Sequence, residues 1–441
     1  MSRDAPGSAF RHKLRVLILH TVVTYAPFRT PFNLYSERQD KASLVPLQTF
    51  SEFPSLGRFF ELTRVDWPMG YGSTAHDALP AFFRPLVKLV LKNTEIESFP
   101  CESSEVAPHL KSMVVYIYDD TIAIAECRWL CDTHLISDGQ FELFDLTLTN
   151  RTNQLLAKIS KECFRPCYKQ LNNMPVQGSF RRPRFFKIYD DIAREDALPL
   201  EAMWVARVIQ VSDSNPLPNW VNWSGGAEDA VFSFVDSEVF IGVGNSIIIG
   251  NDVDEFSRAM CLCQFYSAIL SLYQGMLTRD IERMYVSSKS QRVTRIRAKL
   301  QKEIEYKLDH LDYIRLCHEQ AIYGTQGHRR PLVDHINKAW QTTLHFKNVM
   351  GWSDLLHDRI NRIYKAKQLR QNNLIQTLLA FIGGLALVEL VLALYNNRQP
   401  SNNDSVWGVL DMMVFVPVDA LLYAAFSFIF ILAVLVYRNE G

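Results

Sequence analysis

Two apolar runs near the end of the chain constrain it more than any other feature. Leu374 to Tyr395 is 22 residues with one charge, Glu389, and no Lys or Arg. At helical rise such a run reaches roughly 33 Å, enough for the hydrocarbon core of a bilayer. It is apolar around its whole circumference, unlike a surface helix of a water-soluble domain. The second run, Met412 to Tyr437, carries one charge, Asp419. Pro417 suits a first-turn position, so the second spanning helix is expected at about 417–437, with Trp407 as an interfacial anchor. The two helices read as a transmembrane hairpin over 374–437 joined by a short polar loop.

Flanking charge orients that hairpin. Arg359, Arg362, Lys365, Lys367 and Arg370 precede the first run and Arg438 follows the second, whereas the loop between them holds only Arg398. An excess of basic residues marks the cytoplasmic side. Both termini are therefore expected in the cytoplasm of a multi-pass protein of the inner (cytoplasmic) membrane. Val16 to Tyr25 is apolar but short, contains His20 and lacks a small-residue cleavage site, so it does not read as a signal peptide. The eight cysteines form no Cys-x-x-Cys, and free buried thiols in a reducing compartment are expected. With 47 basic and 47 acidic residues the chain is not a broadly basic nucleic-acid binder, and no direct DNA binding is expected.

Upstream, residues 1–253 read as a cytoplasmic mixed α/β sensor domain and 254–373 as a long-helix stalk. Strands are expected at Leu14 to Tyr25, Val205 to Val211, Val231 to Val235, Val239 to Gly242 and Ile247 to Ile249. Met113 to Tyr118 and Thr121 to Ala125 read as a hairpin around an acidic turn. Phe141 to Leu171 is helical in pattern, with Pro166 kinking or ending it, and Ser214 to Gly226 reads as a long loop. From Asp254 the apolar period becomes helical: Phe256, Met260, Cys263, Leu270 and Leu277 in one helix, Val293 to Leu311 in a second. Gly324 to Pro331 breaks the pattern. A third helix from about Leu332 is expected to run directly into the first membrane span.

This layout resembles the CorA-type magnesium channel family, most closely from Trp352 to Arg438. The segment Leu355-Leu-His-Asp-Arg-Ile-Asn-Arg-Ile-Tyr364, continued through Asn372-Asn373, is similar to that family's last cytoplasmic turns. The resemblance implies an α+β cytoplasmic domain, a helical stalk and a two-helix membrane hairpin. It also implies a homo-oligomer, usually a pentamer, whose first membrane helices line a pore. Where the family has Gly-Met-Asn after that helix, this chain has Tyr395-Asn396-Asn397, so only Asn397 carries over. The departure shifts the expectation from divalent-cation (magnesium) transport to a pore-forming effector. Membrane effectors of this layout occur in bacterial antiviral defence, triggered by a nucleotide messenger or a protein partner. A non-conducting membrane tether is the remaining alternative. The ligand this reading carries is a divalent cation or a nucleotide, and no metal ligand set is assigned.

Five residues are pore candidates: Glu389, Asp419, Asn397, Gly383 and Gly384. Carboxylates within a membrane face a cavity or a partner, and repeated around a symmetry axis Glu389 would form a cation-attracting ring. Asp419 also suits the first turn of a helix, where the dipole stabilises it. Ala380, Gly383 and Gly384 have the small side chains that let helices approach closely. Two basic clusters are candidate anion or ligand sites. Arg181, Arg182 and Arg184 flank Pro183, and Arg292, Arg295 and Lys299 share one helix face; a solvated face is the ordinary use of such charges. Gly242-Val-Gly244-Asn245-Ser246 lacks the third glycine of a dinucleotide fingerprint and reads as a tight turn. With neither Gly-x-Ser-x-Gly nor His-Glu-x-x-His present, no enzymatic activity is expected.

Overall fold

A computed structural model describes residues 19–30, 53–63, 65, 83–99, 108–118, 122–167, 169, 201–211, 218–225, 231–234, 236–288, 294–325, 327–396 and 417–438. The strands are β1 (Leu19–Arg29), β2 (Phe60–Thr63), β3 (Val87–Leu91), β4 (His109–Ile117), β5 (Ile122–Asp132), β6 (Ala206–Val211), β7 (Val231–Phe234), β8 (Ser237–Ile241) and β9 (Asn245–Ile249). The first helices are α1 (Pro54–Phe59), α2 (Asn93–Ser98), α3 (His134–Ser137), α4 (Phe141–Ile159) and α5 (Pro218–Ser224). Then come α6 (Val253–Ser288), α7 (Thr294–Gly324), α8 (Arg329–Ala339), α9 (Thr342–Asn396) and α10 (Val418–Arg438). An α/β sheet domain followed by long helices is thus observed. The chain divides into two compact units, Met1–Ser353 and Asp354–Gly441.

In the first unit the strands join one sheet in the order β2-β3-β4-β5-β1-β6-β9-β8-β7. Every pairing is antiparallel except β6 with β9. A parallel pair needs a crossover, and here it carries α5 and the β7–β8 hairpin. The expected hairpin is β4–β5, although its turn at Asp119-Asp120 lies outside the described residues. The central strand β1 is buried on both faces. Val22, Ala26 and Phe28 join Trp129, Leu148 and Leu155 in the main core. On the opposite face the Tyr25 hydroxyl hydrogen-bonds Ser257 of α6. Burial on both sides is why β1 reads as a continuous apolar run rather than an alternation. It extends beyond the expected end at Tyr25, through Pro27, because Pro27 stands past the end of the β6 pairing, where no ladder bond needs its missing N–H. The Pro27 carbonyl accepts instead from the Met203 N–H at 2.7 Å.

Three expectations need correction, each for a local physical reason. Pro166 does not end its helix: a π turn at Ser160–Phe164 precedes it, and helical backbone continues over 165–167. The wider turn relieves the clash between a proline ring and the carbonyl four residues earlier. The stretch read as a loop over Ser214 to Gly226 contains α5, whose Trp220 and Trp223 are core residues. Pro218 opens that helix, where its missing N–H costs nothing. The second stalk helix ends at Gly324, where the pattern was expected to break. The third does not run from Leu332 straight into the apolar segment: α8 stops at Ala339, and Gln341, with φ of 52°, separates it from α9, which is then unbroken through 352–376 as expected. No Gly or Pro marks this break.

The stripe predicted for α6 is buried as expected, including Phe256, Met260, Cys263, Leu270 and Leu277. The seven described cysteines are free and buried. From Asp354 to Asn396 α9 belongs to the second unit. Among the described residues one helix, α9, is long and apolar enough to cross a membrane, and only 11% of its most apolar window is buried. Leu374, Leu378, Leu379, Ile382 and Leu387 are among its exposed side chains.

Candidate functional site

The joint between α8 and α9 is built from a few specific contacts. Trp340 N–H donates to Ile336 and Gln341 N–H to Lys338, at 3.0 and 3.1 Å, closing the end of α8. Gln341 then takes the left-handed conformation that usually falls to glycine at this position. The Trp340 indole N–H donates to the Gly242 carbonyl at 3.0 Å, which fastens the joint to the turn between β8 and β9. That turn is closely packed. A Cβ on Gly242 would run into the Ser224 carbonyl oxygen, so only glycine fits beneath the end of α5. Asn245 donates to Asp145 at 2.9 Å, and Trp223 donates to the other oxygen of the same carboxylate at 2.9 Å. The Gly242-Val-Gly244 sequence is therefore a structural corner, as its spacing suggests.

Beside the joint is a cavity of about 630 Å³ lined by α6, α7, α8 and the first turns of α9. Its aromatic wall comes from Tyr266, His318 and Phe346. The Tyr266 and His318 rings stack with centroids 3.4 Å apart and planes 4° apart. Burial holds the His318 imidazole down at about 4, so the ring is neutral near pH 7. The charged lining comprises Arg315, Lys338 and Lys347 with Glu319 and Asp334. Arg315 pairs with Glu319 at 3.2 Å. Two polar atoms in the lining are buried without a hydrogen-bond partner among the described residues: Thr342 Oγ1 and Asn337 Oδ1. Thr342 is 4% exposed, so its hydroxyl is not satisfied by bulk water. The space is half open: Arg315, Glu319, Asp334, Lys338 and Lys347 are exposed at its rim, and the His318 and Phe346 side chains are only partly exposed.

The residues singled out from sequence do not meet in this pocket. Glu389 is an exposed position of α9, and Asp419 occupies the first turn of α10, as expected for a dipole-stabilised acid. Gly383 has open space where a Cβ would point, whereas a Cβ on Gly384 would lie 2.6 Å from Ile429 of α10. Of the two glycines, Gly384 is thus the close-packing one. Arg295 and Lys299 fall in the first turns of α7. Asn397, Trp407, Arg181, Arg182, Arg184 and Arg292 lie outside the described residues. Among the described residues no group of three His, Cys, Asp or Glu side chains could hold a metal ion. Sequence reading misses the pocket because its lining comes from four helices whose residues look ordinary one at a time. Comparison of the chain with protein-family models, with curated proteins and with solved structures finds no match.

Proposed function

We propose that the protein is an oligomeric membrane channel or pore-forming effector whose cytoplasmic part senses a ligand in this pocket. One observation carries the reading. The helix that lines the cavity with Thr342, Phe346 and Lys347 continues unbroken to Asn396 through the apolar membrane segment. A ligand that repositions the first turn of α9 thereby acts on the same helix that enters the bilayer. In this reading α10 is the second span and both termini are cytoplasmic. A single hairpin encloses no water-filled path, so conduction requires several copies. Glu389 then forms the acidic ring at the pore, and the likeness to the CorA-type layout supports the arrangement. The altered Gly-Met-Asn position favours an effector, as in antiviral defence, over a magnesium transporter.

The test is native mass measurement and bilayer conductance of the purified full chain. Expected are a multimer and a cation-selective current, with selectivity reduced in Glu389→Gln and the current abolished in Glu389→Lys. Asp419→Asn should matter less, because a first-turn carboxylate contributes about 0.3–1 kcal/mol of dipole stabilisation. A monomeric particle without current would leave only a membrane tether. Growth rescue of a magnesium-uptake mutant would instead establish divalent-cation transport.

A further inference from the structure

We infer that the cavity among α6, α7, α8 and α9 is a nucleotide site, with phosphate at the first turn of α9 and the base against His318 and Phe346. The inference rests on the sensing role proposed above and names its ligand.

Three independent features converge on the anionic end. The ladder of α9 begins with Leu344 and His345 N–H donating to the Gln341 carbonyl at 2.9 and 3.1 Å. The amides of Thr342 and Thr343 precede that ladder, at the positive end of a 55-residue helix. A helix N-terminus alone is no site. Here, however, Thr342 is itself a lining residue, and its hydroxyl is buried with no partner among the described residues. A hydroxyl can donate to a phosphate oxygen without adding charge. Lys338 and Lys347 add two cations to the lining, one on each side of the joint. Phosphate is the anion that best uses this combination of backbone amides, hydroxyl and ammonium groups.

The rest of the lining calls for more than an inorganic anion. Phe346 is one helical turn beyond Thr342 and therefore shares its face. Phe346 and His318 give the cavity flat, partly exposed ring surface beside the anion position. The neutral His318 ring offers stacking without bringing another charge. Asn337 Oδ1 is an acceptor without a donor among the described residues, which a sugar hydroxyl or an exocyclic amine of a base would supply. Glu319 and Asp334 also line the cavity; Glu319 is engaged by Arg315, and Asp334 is a further acceptor for such donors. A planar ring, several hydrogen-bond donors and a phosphate are the elements of a nucleotide. At about 630 Å³ the cavity is roomy enough for one.

The experiment is titration calorimetry of the detergent-purified full chain with AMP, GMP, CMP and UMP, and with adenosine, guanosine, cytidine, uridine and inorganic phosphate as comparisons. At least one nucleotide should bind, with its nucleoside and phosphate each weaker by about tenfold or more. Thr342→Val and Lys338→Glu should each weaken that nucleotide by about tenfold. Thr342→Ser, which keeps the hydroxyl, should bind like the parent and controls for packing. Absence of binding by all four nucleotides would overturn the inference. So would equally tight binding of phosphate alone, or affinity unchanged in both Thr342→Val and Lys338→Glu. Nucleotide binding by a protein that conducts no current would leave this inference standing and remove the channel reading. Current from a protein that binds no nucleotide would do the reverse.

Discussion

Lys307 Nζ lies 2.5 Å from Asp280 Oδ2, and both side chains are 1% exposed. This ion pair ties α7 to α6 inside the helical layer that also lines the cavity. Glu303 stands 3.7 Å from the same ammonium, and Arg283 3.7 Å from the second Asp280 oxygen. Two charges so fully removed from water are tolerated because each has the other, and one left alone is not.

Breaking the pair should therefore be costly. Lys307→Met or Asp280→Leu is expected to lower stability by about 3–5 kcal/mol. Replacing both, as Lys307→Met with Asp280→Leu, should recover most of the loss, since an apolar pair of similar volume leaves no orphan charge. Thermal unfolding in detergent measures the cycle. Single variants that melt with the parent would mean that water reaches the pair.

The joint at Gln341 offers a second test. A non-glycine residue in the left-handed region costs about 1–2 kcal/mol, and here it is held by the bond between Trp340 and Gly242. Gln341→Gly should raise stability by up to about 1 kcal/mol once added unfolded-state entropy is subtracted. Gln341→Val should lower it, because a β-branched residue fits that backbone worst. Denaturant midpoints give both signs. A Gly variant less stable than the parent would show that the Gln341 side chain stabilises the joint.

In the sheet, Glu126 is 3% exposed at the interface of β5 with α6 and accepts from Arg128 at 3.1 Å. Desolvation outweighs the Arg128 attraction and raises its pKa. Its folded value is therefore above its unfolded one, so its contribution is complete below the unfolded pKa and is lost as pH rises through the folded pKa. Glu126→Gln should remove that pH dependence. Relative to the parent, the variant should be more favourable at pH 8 than at pH 5, read as the difference in melting temperature. The same difference at both values would place the titration elsewhere.

How much of this is legible in the sequence depends on the range of the forces involved. The stripe of α6 and the strands at Val205–Val211, Val231–Val235 and Ile247–Ile249 follow local apolar periods, and the structure has them within a few residues. The parallel β6–β9 pairing is a long-range choice that no local pattern encodes. α5 is hidden because Pro218, Asn219 and the following tryptophans have turn composition, yet burying two indoles outweighs that preference. The break at Gln341 is invisible for the opposite reason: its residues all have acceptable helix propensity, and the bond from Trp340 to a turn 98 positions away fixes it. The pocket depends on that break, so local pattern cannot reveal one without the other. Small size singles out Gly383 and Gly384 alike, and only the position of Ile429 distinguishes them.

That distinction gives a prediction inside the second unit. A Cβ at Gly384 would come within 2.6 Å of Ile429 Cγ1 and 2.7 Å of its Cδ1, whereas one at Gly383 meets nothing within 4 Å. Gly384→Leu should therefore push α9 from α10 and lower the melting temperature, and Gly383→Ala should not. Ile429→Ala removes the clashing atoms, so Gly384→Ala with Ile429→Ala should be less destabilised than the single effects summed. Additive effects would mean that the two helices do not meet through this pair.

The last prediction concerns His318 and acid. Its folded pKa of about 4 lies below the ordinary 6.5, because burial beside Tyr266 penalises the imidazolium. The folded state thus binds fewer protons than the unfolded one between those values. The contribution is fully present above pH 6.5 and is lost as pH falls towards 4, amounting to roughly 3 kcal/mol across the window. His318→Phe keeps an aromatic ring against Tyr266 but has nothing to protonate. Between pH 6.5 and 4 the parent should lose markedly more stability than this variant, while above pH 7 the two should run parallel. Melting curves at half-unit intervals of pH decide it, with ring proton titration of the parent as the direct check. Equal acid sensitivity in parent and variant would show that His318 is hydrated, and the cavity wall would then carry a charge at mildly acidic pH.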